Sequence, residues 1–155
     1  MPAFVTFGRI LFAVLFIVSG ASKLLDLTAT AQNITDKVVL PAAFATYTAQ
    51  IEGATGMPIA QLLAIIAGSL ELVGGLLIAL NFGARFFAIL LVFFVIAATF
   101  YFYDFWNQTG PEAKNNMVHA LKNLSLIGGL LMIAGMGRSV RVAEPVYTEP
   151  ASHTY

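Results

Sequence analysis

The sequence contains no cysteine, and only two of its 155 residues are histidine. The lack of cysteine excludes disulfide bonds, thiolate nucleophiles, iron–sulfur ligation and cysteine-based zinc sites in this chain. His119 and His153 alone are too few for a four-ligand metal site of nitrogen and sulfur. A haem held by two histidines would need His153 in the polar C-terminal tail. We therefore expect no metal.

Charged residues are also scarce, at 10% of the chain against about 25% in an ordinary soluble domain. Eight Lys+Arg balance eight Asp+Glu, so the chain lacks the basic charge of a nucleic-acid binder, and we expect no nucleic-acid partner. Hydrophobic residues make up 59%, and the mean hydropathy is +0.84. A small soluble enzyme needs more polar surface, and a disordered chain is less apolar. The composition therefore predicts an integral membrane protein in contact with the lipid bilayer.

Four apolar segments approach the length of roughly 20 residues that a membrane helix needs. They are residues 4–22, 58–80, 86–103 and 118–136. The first and last could instead be core helices of a soluble domain, but the composition argues against that. We predict an all-α membrane protein, an antiparallel bundle of four transmembrane helices in one domain (1–137), followed by a polar cytoplasmic tail (138–155).

The connections between the segments are uneven in length. Residues 81–85 form a tight link, which makes the second and third segments antiparallel neighbours. The first external connection, 23–57, could hold a short surface helix near residues 40–51. The first segment also resembles a signal peptide, but Lys23 and Asp26 lie between its apolar run and the candidate cleavage site. We therefore expect that segment to be retained.

Basic residues set the expected orientation in the membrane, because cytoplasmic loops are enriched in Lys and Arg. One side carries four arginines and the other carries three lysines: Arg9, Arg85, Arg138 and Arg141 against Lys23, Lys37 and Lys114. This modest bias predicts that both termini are cytoplasmic.

Ionisable residues inside a membrane span are costly and usually face the bundle interior with a partner. The candidates are Arg9, Lys23, Glu71, His119 and Lys122. Glu71 is the only acid in the spans, and the helical rise of about 1.5 Å per residue places it within reach of Arg9. Such an ion pair could simply specify the fold while the lysines extend to the interface. The alternative is a polar cavity for a ligand or a proton.

Several motifs, taken in order, resemble the DoxX family. They are Gly8-Arg9 and Ser19-Gly20-Ala21-Ser22-Lys23-Leu24, Glu71-Leu72-Val73-Gly74-Gly75, Gly83-Ala84-Arg85, Asp104-Phe105-Trp106, and Leu121-Lys122-Asn123-Leu124-Ser125. Together they extend over roughly residues 5 to 135. The resemblance implies a bacterial inner-membrane protein with four helices. It also implies an association with redox systems, one of them quinone-linked, although most members have no established reaction.

The resemblance carries over Arg9, Lys23, Glu71, Lys122 and Asn123 as ligand-binding or buried ion-pair candidates. His119, Tyr103 and Asp104 are secondary candidates. Many members have a histidine directly before Asp-Phe-Trp, where this chain has Tyr103, and this departure puts a histidine-dependent role there in doubt. A related fold in quinone-reducing enzymes uses cysteine pairs, and this chain has none.

These observations favour a non-catalytic or accessory membrane subunit of a redox-linked system. No nucleophile, metal set or phosphate-binding loop is evident, so the catalytic residues, if any exist, are unknown. A quinone or a lipid could bind in the polar interior, and a redox protein or further copies of this chain could be partners. The main alternative is a small proton-coupled transporter that uses Glu71. An oxidoreductase in its own right would require a bound chromophore.

Overall fold

A computed structural model describes residues 3–136, and the predicted polar tail (138–155) lies outside these described residues. Over residues 3–136 the chain forms six α-helices: α1 (Ala3–Leu25), α2 (Leu27–Lys37), α3 (Ala45–Thr55), α4 (Ile59–Ala79), α5 (Ala84–Phe102) and α6 (Gly110–Gly135). Two short 3₁₀ turns, Ala42–Phe44 and Phe105–Asn107, precede α3 and α6. Between residues 3 and 136 there is no β-strand.

Four of these helices, α1, α4, α5 and α6, are long and apolar enough to cross a membrane. The predicted all-α bundle with four spanning helices is therefore confirmed. Large apolar side chains point outward along them: Phe4 is 90% exposed, Phe93 66% and Met132 70%. Such a surface would be unfavourable in water, but it suits contact with lipid chains.

The four long helices associate as two closely packed pairs, α1 with α4 and α5 with α6, and α4 also packs on α5. In the first pair, Gly20 lies against the backbone of Gly68 and Leu72. Further along, Gly75 lies against Phe16 and Ile17. Glycine lets helix backbones approach closely in lipid, where no hydrophobic effect drives helices together.

The connection between α4 and α5 is a tight turn. Asn81 and Gly83 both adopt left-handed backbone conformations, with φ of 58° and 60°. The Phe82 amide donates to the Leu77 carbonyl at 2.9 Å and so satisfies one of the carbonyls left open at the end of α4. This turn makes α4 and α5 antiparallel neighbours, as residues 81–85 predicted.

The long connection between α1 and α4 contains more structure than the one short surface helix expected there. At Asp26 the chain breaks α1 and starts α2, where the Asp26 side chain accepts a hydrogen bond from the Ala29 amide at 3.0 Å. Helix α2 packs on α4 and buries Ile34. Helix α3 buries none of its residues and lies on the surface. The Glu52 carboxylate accepts a hydrogen bond from the Ile59 amide at 2.7 Å, which ties α3 to the start of α4.

Candidate functional site

Three polar side chains meet between α1 and α4. The Lys23 Nζ lies 2.6 Å from Glu71 Oε2 and forms an ion pair with it. Ser19 Oγ donates to the same carboxylate oxygen at 3.0 Å and accepts a hydrogen bond from Lys23 Nζ at 2.6 Å. The Glu71 side chain is 7% exposed and that of Lys23 is 29% exposed. The carboxylate is therefore buried, while its ammonium partner keeps partial access to the surroundings.

The sequence explains why these groups meet. Ser19 and Lys23 are four residues apart and so lie on the same face of α1. Glu71 belongs to the buried stripe of α4 that also contains Gly68 and Gly75. Because Gly20 packs against the backbone on either side of Glu71, the two helices are close enough for Ser19 to reach the carboxylate.

The ion pair lies at the edge of a cavity of about 1200 Å³ between the two helix pairs. Six of the eight residues named from the sequence line it: Lys23, Glu71, Tyr103, His119, Lys122 and Asn123. Its other walls are largely apolar, with Leu11, Val14 and Leu15 from α1 and Phe94 from α5 among them. The fold thus gathers residues from distant parts of the chain around one open space.

The wall opposite the ion pair is formed by the end of α5 and the first half of α6. Tyr103 and His119 stack with ring centroids 5.0 Å apart and planes inclined by 12°. Asn123 Nδ2 donates to Thr99 Oγ1 at 2.9 Å, and this hydroxyl donates to the Val95 carbonyl at 2.6 Å. These contacts fix the faces of α5 and α6 that line the cavity.

Lys122 is exposed, and it lines the cavity beside Asn123. Within the part of the chain that the structure describes, its ammonium group has no ion-pair or hydrogen-bond partner. Lys23, by contrast, is neutralised by Glu71. The charged residues of the cavity are thus two cations and one anion, which gives it an excess of positive charge.

Arg9 and Asp104 do not line the cavity. Arg9 is 7% exposed on the buried face of α1 and is engaged in interactions within the protein. The Arg9–Glu71 pair suggested by depth stays a prediction, whereas Lys23 is a partner that the depth argument did not select.

Asp104 accepts a hydrogen bond from Gln108 at 2.9 Å, and Gln108 accepts one from Asn116 at 2.7 Å. This chain of hydrogen bonds connects the end of α5 with the start of α6.

The polar residues of the cavity that sequence reasoning missed include Ser19, Thr30 and Asn33. Ser19 could have been found, because it lies one helical turn before Lys23. Thr30 and Asn33 lie on α2, in a segment interpreted as a connection, so no signal placed them beside the spanning helices. Residues 3–136 contain no group of three or more His, Asp or Glu side chains close enough to hold a metal ion.

The arrangement combines hydrogen-bond donors and a positive charge with extended apolar walls. Such a cavity can hold the polar head of an amphipathic molecule against Lys122 and Asn123 while an apolar chain lies along α1 and α5. Tyr103 and His119 offer a flat aromatic surface beside the same polar end.

Comparison with known proteins agrees with this architecture. The DoxX family profile matches residues 4–104, which include the first five helices. The chain is also 29% identical over 136 residues to inner membrane protein YphA of Escherichia coli (strain K12), an alignment that covers 88% of this chain and 84% of YphA. No solved structure matches the chain. Because the profile covers well over half of the sequence, this multi-pass membrane protein belongs to the DoxX family.

Proposed function

We propose that this protein is a non-catalytic accessory subunit of a redox-linked system in the bacterial inner membrane, and that it binds a quinone or a lipid in the cavity. One observation carries the proposal. The cavity places Lys23, Lys122 and Asn123 next to apolar walls within a membrane-spanning bundle. An amphipathic molecule can place its polar head against the polar side chains and its apolar chain against the apolar walls of such a site. The redox link rests on the family resemblance alone.

The transporter hypothesis has less support. Each of the four spanning helices is continuous over the described residues, whereas many transporters form their binding sites from discontinuous helices. Glu71, the proposed proton carrier, is held by both Lys23 and Ser19. A binding role uses these contacts directly, because they keep the carboxylate in place at the edge of the cavity.

A ligand analysis of the purified protein tests the proposed function. We expect the wild type, extracted in mild neutral detergent, to retain a stoichiometric amount of one quinone or lipid after extensive washing. Ala98 lines the cavity, so Ala98→Phe should fill it and expel the molecule. The matched control is Ala120→Phe, in a separate groove between α5 and α6. Mass spectrometry of the extracted lipids and quinones is the measurement. A ligand-free wild type, or equal retention by the two variants, would contradict the proposal.

The membrane orientation is a separate prediction. The distribution of arginine and lysine favours cytoplasmic termini. Reporter fusions at Ala45 and Gly110 should therefore report an external location, and a fusion at Pro150 a cytoplasmic one. A pair of reporters that are active only on opposite sides, such as alkaline phosphatase and green fluorescent protein, makes the readout independent of expression level. A cytoplasmic location for Gly110 would overturn the orientation.

A further inference from the structure

We propose that the molecule bound in the cavity is an anionic lipid, with its negatively charged head group at Lys122. This inference rests on the proposed function, because it requires a ligand in the cavity. It goes further by choosing among ligands: it selects a phosphate head group with a net negative charge over the neutral ring of a quinone and over a zwitterionic head group, in which a cation balances the phosphate.

The charges around the cavity carry the argument. The Lys23 ammonium contacts the Glu71 carboxylate at 2.6 Å, so this pair contributes no net charge. Lys122 has no such partner among residues 3–136. The remaining polar groups of the cavity, including Ser19, Asn33 and Asn123, are uncharged. An uncompensated ammonium group within a spanning helix is unfavourable, and such residues usually have a partner. A ligand with a negative charge supplies the missing partner.

The position of Lys122 along α6 suits a lipid head group. It lies 13 residues before Gly135, about 20 Å along the helix axis from the opposite end. The hydrocarbon core is about 30 Å thick, so Lys122 lies in the outer part of the span, below the interface. Lysine is a strong point-charge partner for phosphate. Its flexible side chain can meet a head group that is drawn slightly into the bundle.

The apolar part of the cavity provides space for an acyl chain. Leu11 and Val14 line it on α1, and Lys23 lines it near the other end of the same helix. From Lys23 to Leu11 the distance along the axis is about 18 Å. An acyl chain that runs this far remains within the hydrocarbon core. Free phosphate is also an anion, but it has no apolar chain to contact these walls.

Binding titrations with delipidated protein in a neutral maltoside detergent test this inference. The probes are phosphatidylglycerol and phosphatidylcholine with identical acyl chains, decylubiquinone as the neutral quinone, and inorganic phosphate. Wild type should bind phosphatidylglycerol about tenfold more tightly than phosphatidylcholine, because both lipids carry an anionic phosphate but the cationic choline of phosphatidylcholine offsets its attraction to the lysine. Lys122→Gln should remove this preference. Lys114→Gln, on the exposed part of α6 outside the cavity, should retain it.

The outcomes separate the two proposals. Three outcomes would contradict an anionic head group and leave the proposed function standing. They are equal binding of phosphatidylglycerol and phosphatidylcholine by the wild type, tighter binding of decylubiquinone than of phosphatidylglycerol, and an undiminished preference for phosphatidylglycerol in Lys122→Gln. If inorganic phosphate binds as tightly as phosphatidylglycerol, the proposal that the ligand is a lipid fails. If none of the four probes binds, both proposals fail. Binding of phosphatidylcholine by Lys122→Gln shows that the variant is folded.

Discussion

Replacing Gly20 with alanine is expected to lower the free energy of unfolding by about 3 kcal/mol, the upper part of the usual range for overpacking. A Cβ atom at this position would lie 2.6 Å from the Gly68 carbonyl oxygen and even closer to the Leu72 amide nitrogen. Both are backbone atoms of α4 and cannot rotate away. The whole helix must therefore move, which also weakens the nearby contacts of Ser19 with Glu71. Unfolding in mixed micelles of dodecyl maltoside and sodium dodecyl sulfate measures the loss.

Gly8→Ala is the matched control, because Gly8 lies on the same helix and a Cβ atom there meets nothing within 4 Å. Alanine is a better helix former than glycine by about 1 kcal/mol, so this change should be neutral or stabilising. Equal stabilities of the two variants would show that α1 and α4 do not approach each other as closely as the structure indicates.

The second large effect is expected at the ion pair, where Lys23→Met should be more harmful than Glu71→Gln. Loss of Lys23 leaves a carboxylate that is 7% exposed and about 18 Å along α4 from Ile59. We expect a cost of about 3 kcal/mol, as is typical when one partner of a buried pair is removed. Loss of the Glu71 charge leaves an ammonium group that is 29% exposed near the end of α1 and can extend to the interface. The same micelle unfolding assay compares the two variants.

A double-mutant cycle verifies that the two effects share one contact. The Lys23→Met/Glu71→Gln double variant should be more stable than the sum of the single losses predicts, with a coupling energy of at least about 1 kcal/mol. Additive losses would show that the pair does not form in the membrane. A parallel cycle with Arg9→Met and Glu71→Gln tests the pairing that depth suggested from the sequence. Coupling in that cycle would mean that Glu71 interacts with both Arg9 and Lys23.

The spanning helices could be predicted because a long apolar segment is recognisable from the sequence alone, without knowledge of its tertiary contacts. The turn at 81–85 was equally clear, since Asn81 and Gly83 tolerate the left-handed conformations that the turn requires. Helix α2 could not be predicted in this way. Its sequence, LTATAQNITDK, has many polar residues, and the helix packs on the bundle by burying Ile34 against α4. Tertiary packing decides the structure of such a segment.

The candidate site was predictable in its residue types but not in its pairings. Intramembrane charge identified Lys23, Glu71 and Lys122, all of which line the cavity. Their partners depend on the helix register, because the glycine contacts between α1 and α4 set which residues lie opposite one another. Depth in the membrane, estimated from the ends of the apolar segments, favoured Arg9 as the partner of Glu71. The actual register brings Ser19 to the level of the carboxylate, and Lys23 then reaches it from one turn further along α1.

The division into two helix pairs has a consequence for any molecule that binds between them. The α1–α4 pair is held together by backbone contacts at its glycines, and the Phe12 ring of α1 lies against Gly129 of α6. Around Lys23 and Lys122 the space between the pairs is open instead. The lipid proposed for this space would contact both pairs at once, and its chain length and head group would then influence the angle between them. The shape of the bundle would then depend on the lipid composition of the membrane.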